Sequence, residues 1–210
     1  MPTLADYFFW ELVFSFLGPQ DLIAVSGVCY SWWRFVFRGT RSIRQALLSR
    51  NVLDMSNSGN LYQKVPLRLF GGIQKLSLKG THISSTNFLR LTTEAKQLTA
   101  LDISNCGNIS EEAIFNAKYN LQRLRSVNIS YNSQFSVLTI ACLLTYECIV
   151  DVCCWGKKLD QKELLFLSKT FSRLTNGGID LRLDGIGEDY FCDFGDSTDS
   201  NEDLEDLLMN

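Results

Sequence analysis

Few residues in this chain could make or break a bond, and their spacing argues against it. His82 is the single histidine among 210 residues, so a Cys–His or Ser–His–Asp constellation would have to use it. It sits beside a turn at Thr81, where a solvent-facing loop histidine is expected. Cys148, Cys153 and Cys154 could offer thiolates to a metal. No C-x-x-C pair is present, however, and strand alternation would send 153 and 154 to opposite faces. Phosphate chemistry lacks a Walker loop and a Gly-x-Gly-x-x-Gly; Gly177-Gly178 and Gly185-x-Gly187 read as turns. The expectation is a protein that is not an enzyme, with no cofactor and no metal site. It must act by contact.

Composition bounds the kind of contact. The chain is 46% apolar, enough for one elongated domain or two small ones. Its net charge of -3 is unevenly spread. Residues 1–183 carry all 20 Lys and Arg and 13 of the 23 Asp and Glu, a net +7; residues 184–210 carry the other 10 acids and no base. Seven cysteines show no paired framework, which suits a reduced intracellular setting, cytoplasmic or nuclear. The apolar run from Tyr7 to Leu17 is shorter than the roughly 20 residues a bilayer needs and lacks a basic segment before it. Neither a membrane nor a nucleic acid is expected as a partner.

The first forty residues read as three short helices. Asp6 suits an N-cap for a helix over about Tyr7 to Leu17. Phe8, Phe9, Leu12, Val13, Phe16 and Leu17 form one apolar face, while Tyr7, Trp10 and Phe14 form a second. A helix apolar on nearly every side needs cover from two directions, and a partner is the natural second cover. Gly18-Pro19 breaks the run, with Pro19 pre-set for the next helix. Asp21 favours that helix's N-terminus. A third segment, Val28 to Phe37, is densely aromatic. The plain alternative is a helical cap that closes an adjacent solenoid.

The middle of the chain is a repeat. An apolar-x-x-apolar-x-apolar-x-x-small frame appears at Ile73, Leu76, Leu78, Thr81. It returns at Leu98, Leu101, Ile103, Cys106 and again at Leu124, Val127, Ile129, Asn132. A degraded copy has Val150, Val152 and Trp155. The second frame positions, 76, 101, 127 and 150, are spaced by 25, 26 and 23 residues. Leu53 suggests an earlier copy, and Ile179 or Leu181 a last one. Each copy predicts a strand, a turn and a helix, the helices falling at about Glu111–Leu121, Ser136–Thr145 and Gln161–Leu174. Cys106 and Asn132 should point inward and bond the turn backbone. Residues between the apolar strand positions should face a concave side. That row is Lys75, Ser77, Lys79, Thr99, Asp102, Ser104, Arg125, Asn128, Ser130, Asp151 and Cys153, a polar surface suited to a protein or peptide ligand.

These residues carry two resemblances. The run Val13-Phe14-Ser15-Phe16-Leu17-Gly18-Pro19-Gln20-Asp21-Leu22, then Val28-Cys29-x-x-Trp32, resembles the F-box, although no Pro adjoins Leu4 as that family usually has. The period near 25 resembles the leucine-rich repeat, and residues 98–110 resemble its cysteine-containing subclass. Together they imply an α/β fold: a three-helix F-box-like module at 1–40, a short repeat solenoid with a right-handed superhelix at 41–183, and an acidic, largely disordered tail at 184–210.

The F-box resemblance implies a substrate-recognition subunit of an SCF-type cullin-RING ubiquitin ligase. Leu4, Val13, Phe14, Phe16, Leu17, Pro19, Leu22, Val28 and Trp32 would serve a Skp-type adaptor on a cullin scaffold, and the concave row would serve the protein substrate. Two alternatives stay open: a repeat scaffold without ligase role, and a GTPase regulator presenting an arginine such as Arg125.

Overall fold

The computed structural model describes residues 9–183 apart from 11, 15 and 39–50. Leu4, the Asp6 cap and the acidic segment 184–210 lie outside the described residues. Residues 9–10 and 12–14 are helical; α1 (Pro19–Ser26) and α2 (Tyr30–Arg38) come next. Pro19 stands at the start of α1 and Asp21 in its first turn, where a missing N–H costs nothing and a carboxylate meets the helix dipole.

Residues 51–183 are α/β. Six strands form one parallel sheet in strict chain order: β1 (Val52–Asp54), β2 (Lys75–Ser77), β3 (Ala100–Asp102), β4 (Ser126–Asn128), β5 (Asp151–Cys154) and β6 (Asp180–Leu183). The early and late copies expected at Leu53 and Ile179–Leu181 are thus β1 and β6. The returning segments are two 3-10 turns (Leu61–Lys64 and Leu67–Gly72), then α3 (Ser85–Glu94), α4 (Glu111–Ala117), α5 (Val137–Leu144), and α6 (Gln161–Thr170) with α7 (Ser172–Thr175). The helix expected to run unbroken from Gln161 to Leu174 is interrupted at Phe171, whose backbone is extended (φ -120, ψ 90).

The repeat sequence explains each corner. Ser84, Ser110, Ser136 and Asp160 are the N-caps of α3 to α6, and each side chain accepts a hydrogen bond from a first-turn N–H. Neighbouring caps are linked. Ser85 Oγ accepts from Ser110 N–H at 2.9 Å, and Glu111 Oε1 accepts from Ser136 N–H. Val137 has no acceptor to offer the next cap, and there Asp160 N–H is satisfied locally by Glu163 Oε2 at 3.0 Å, completing a capping box.

The strands leave the sheet through a left-handed residue in each unit. Asn57, Gly80, Asn105, Tyr131 and Gly156 have φ of 55, 66, 54, 58 and 81. Asn and Gly tolerate that region. Tyr131 is the bulky residue in the column.

One apolar core runs from Phe14 in the head to Leu183 in β6. Ile73, Leu76, Leu78 and Ile83 are fully buried, as are Leu98, Ile103, Cys106 and Ile109. In the fourth unit the expected frame is corrected. Val150 is exposed and Trp155 half-buried, while Ile149, Val152 and Cys154 are buried. The frame there is 149, 152, 154 and 157, two residues on from the expected one, since Val127 pairs with Val152, and Lys157 fills the place held by Thr81, Cys106 and Asn132. The head packs on this core through contacts of α1 with β1 and with the 3-10 turn Leu61–Lys64. It therefore lies against the first strand of the sheet.

Candidate functional site

The head separates into a buried and an exposed set. Phe14, Leu22 and Phe35 are core residues, at 2%, 0% and 8% exposure. Phe14 meets Trp10, Trp32 and Phe35 with ring centroids 5.6, 5.5 and 5.3 Å apart, edge and tilted contacts that aromatic quadrupoles favour. Leu17 and Trp32 are half-buried against that core. On the outer side Phe16 is 81% exposed and Val28 67%, with Phe9, Leu12, Val13 and Tyr30 also exposed.

The expected adaptor set is thus divided: Phe14 and Leu22 hold the head together, and Phe16, Val28 and Val13 face solvent. Pro19 opens α1. Phe9, Leu12 and Tyr30 are exposed as well, outside the expected set. The apolar helical face at Phe9 and Leu12 is the available signal for two of them.

The polar row on the strands is set by register. The first position pairs Val52, Lys75, Ala100, Ser126, Asp151 and Asp180; the second pairs Asp54, Ser77, Asp102, Asn128, Cys153 and Arg182. Thr99 and Arg125 therefore precede the row, and Ala100 and Ser126 take the places expected of them. Both departures have one cause. Thr99 O accepts from the N–H groups of Arg125 and Ser126, and Arg125 O from those of Val150 and Asp151. The second frame positions Leu76, Leu101 and Val127 are register partners, so the residues just before them, Lys75, Ala100 and Ser126, share the row's first place.

Much of this row is not a solvated surface. Ser77, Asp102, Ser104 and Ser130 are buried, as is Cys153; Lys75, Asn128 and Asp151 are half-buried, and Lys79 and Arg125 exposed. Strands lie about 4.8 Å apart, so small side chains on neighbouring strands bury one another. They also bond along the row. Ser56 and Ser77 hydroxyls meet at 2.6 Å, Ser126 Oγ donates to Asp151 Oδ2 at 2.7 Å, and Ser130 Oγ meets Cys153 Sγ at 3.4 Å. Asp54, Asp102 and Asn128 each accept from the N–H two residues on, the short turn that such side chains favour.

The row's charged end lies at β5 and β6. Arg182 Nε donates to Asp180 Oδ2 at 2.9 Å, and Arg182 Nη2 lies 3.4 Å from Asp151 Oδ1, an ionic approach without hydrogen-bond geometry. Burial pushes the Asp151 carboxyl up from its ordinary value, against the Ser126 hydroxyl and the Arg182 charge, which pull it down.

Cys106 and Asn132 point inward as expected. Asn132 Oδ1 accepts from Cys106 N–H at 2.7 Å, and Cys106 Sγ lies 3.0 Å from Leu78 O as donor. Burial raises the Cys106 thiol above its usual range, which suppresses thiolate chemistry. Cys153 sides with Ser130 on the polar face while Cys154 joins the core, the opposite-face placement that alternation demands. His82 is exposed.

Among the described residues no group of three or more His, Cys, Asp or Glu could hold a metal ion, and no helix is long and apolar enough to cross a membrane. The sequence matches no protein-family model and no curated protein.

Proposed function

We propose that this chain is a non-enzymatic recruiting subunit, in which an F-box-like head docks on a Skp-type adaptor of an SCF-type cullin-RING ubiquitin ligase. Residues 41–183 then act as a leucine-rich-repeat array that holds a protein substrate near the ubiquitin-loaded enzyme, in a cytoplasmic or nuclear setting. Its contribution to the reaction is proximity.

One observation carries the reading. The head buries Phe14, Leu22 and Phe35, yet keeps Phe9, Leu12, Phe16, Val28 and Tyr30 exposed. A module that only capped the array would have no need of that outer face. Burying a side chain of this size is worth about 1.5–3 kcal/mol, so several together can outweigh the cost of association. Phe16 and Val28 both fall within the segments that resemble the F-box.

The test is co-purification of the full chain with a Skp-type adaptor and cullin. Leu22 is a poor site for a disruptive variant because it is fully buried; Phe16→Asp with Val28→Asp is the appropriate pair. The expected result is adaptor uptake by the wild type and loss in the double variant, with circular dichroism and melting unchanged. A wild-type chain that takes up no adaptor overturns the reading.

A further inference from the structure

We infer that the outward face of α4, α5 and α6 is where a second copy of this chain docks, forming a two-fold dimer. The surface lies on the helices, apart from the head, and goes beyond adaptor docking without depending on it.

The face is apolar where a solvated helix surface is expected. α5 carries no charged residue. Leu138 on its outer side is 57% exposed, and Val137, Ala141 and Cys142 are half-buried beside it. To one side α4 packs on α5 and exposes Phe115, with exposed Tyr119 just beyond its end. To the other side α6 exposes Leu165 and Phe166. Taking about 150–250 Å² for each large side chain, the exposed parts of these residues and Leu138 amount to on the order of 500 Å². That is near the upper end of what a monomer shows in one patch. With the polar groups around it, the face approaches the roughly 800 Å² per partner that a standard interface buries.

The repeat sets these residues in rows. Counted from the N-caps Ser110, Ser136 and Asp160, Glu112, Leu138 and Lys162 stand at one height. The next row holds Phe115, Ala141 and Leu165, and the last Tyr119, Thr145 and Lys169. Side chains three and seven apart share a helix face.

Charge names the occupant. Glu112, Lys162 and Lys169 are exposed, so the face is acidic at α4, neutral at α5 and basic at α6. A two-fold axis running along α5 lays α4 of one copy over α6 of the other, pointing the same way. Each row then meets its complement. Glu112 meets Lys162, Phe115 meets Leu165, Tyr119 offers its ring to Lys169, and Leu138 meets its own copy. Each pairing between α4 and α6 occurs twice, as two-fold symmetry requires. The reversed arrangement would set Lys162 over Lys169, a repulsive pair that disfavours it. Asn116 opposite Phe166 is the poorer match and limits affinity. Complementarity of this kind selects a copy of the chain over an unrelated partner.

The experiment is sedimentation velocity on the full chain over a dilution series at physiological salt. The wild type should pass from monomer to dimer mass as concentration rises. Leu138→Asp should stay monomeric with unchanged circular dichroism. Glu112→Lys and Lys162→Glu should each weaken the dimer about fivefold, and the two substitutions together should restore it. A wild type that is monomeric at every concentration overturns the proposal. So does a dimer that survives Leu138→Asp, or one abolished by Phe16→Asp with Val28→Asp, which would place the contact on the head. A charge reversal that fails to restore the dimer overturns it as well.

Discussion

Asn132 carries three hydrogen bonds, two of which join the β4 unit to the β3 unit: its Oδ1 accepts from Cys106 N–H at 2.7 Å and its Nδ2 donates to Ile103 O at 2.8 Å, while Nδ2 also donates to Ile129 O in its own unit at 2.9 Å. Truncation leaves a buried N–H and two buried carbonyls without this partner, and each such group costs about 1–3 kcal/mol. Asn132→Ala should therefore lower stability by roughly 3–4 kcal/mol. Cys106→Ala removes chiefly the weak Sγ contact to Leu78 O and should cost about 1 kcal/mol. Urea titrations with unchanged m-values would check both. Equal losses would show that the amide ladder is not what joins the units.

Two phenylalanines two residues apart should behave oppositely. Phe14 is 2% exposed and Phe16 81%. Phe14→Ala should destabilise by about 3–5 kcal/mol through lost burial and a cavity, and Phe16→Ala by less than about 0.5 kcal/mol. Thermal melts of the two variants give the comparison.

Two carboxylates should respond to pH in opposite senses. Partial burial pushes the Glu111 carboxyl up, but hydrogen bonds from Ser136 and Thr139 and the charge of Lys157 pull it below the usual glutamate value. Its folded value is depressed, so its contribution is present above about pH 4.3 and is lost as pH falls through the folded value. The group is largely hydrated, so the contribution should be under about 1 kcal/mol. Glu111→Gln should cost stability at neutral pH and nothing in strong acid.

Asp151 is raised by burial. Its folded value exceeds the unfolded one of about 3.9, so stability falls as pH rises between the two. Asp151→Asn should be at least as stable as the wild type at neutral pH and should lose that relative gain in acid. Urea midpoints at both pH values settle the sign.

The Tyr131–Gly156 contact predicts a coupled pair. Gly156→Ala places a methyl against the ring and into a backbone region (φ 81) that glycine favours, for a cost of about 1–2 kcal/mol from the backbone alone. In a Tyr131→Asn background the ring collision is gone and only the backbone cost should remain. A double-mutant cycle with a coupling above about 0.5 kcal/mol is expected; strict additivity would show that ring and glycine do not touch.

The repeating part of this protein was legible in its residue order. A period near 25 of apolar residues predicts strand, turn and helix units, because side chains two apart on a short strand share one face. The inward turn of Cys106 and Asn132 was legible too, since a small polar residue at that place has turn backbone to satisfy. Two apolar faces on one short helix announced that the head could not hide all its surface.

Packing in three dimensions supplied the rest. It chose Phe14 for the core and left Phe16 outside, because both lie on apolar faces and only the packing of α1, α2 and β1 selects between them. The polar row's first place belongs to Ala100 and Ser126 in place of Thr99 and Arg125, because each directly precedes a register-matched frame residue, Leu101 or Val127, and alternate strand residues share a face. Packing moved the fourth frame to Ile149 and Cys154, where stacking on Leu124 and Ile129 outweighs the hydropathy of Val150. Finally, it gave Tyr131 its left-handed backbone, a conformation that comes from the turn its neighbours make and from the open backbone of Gly156.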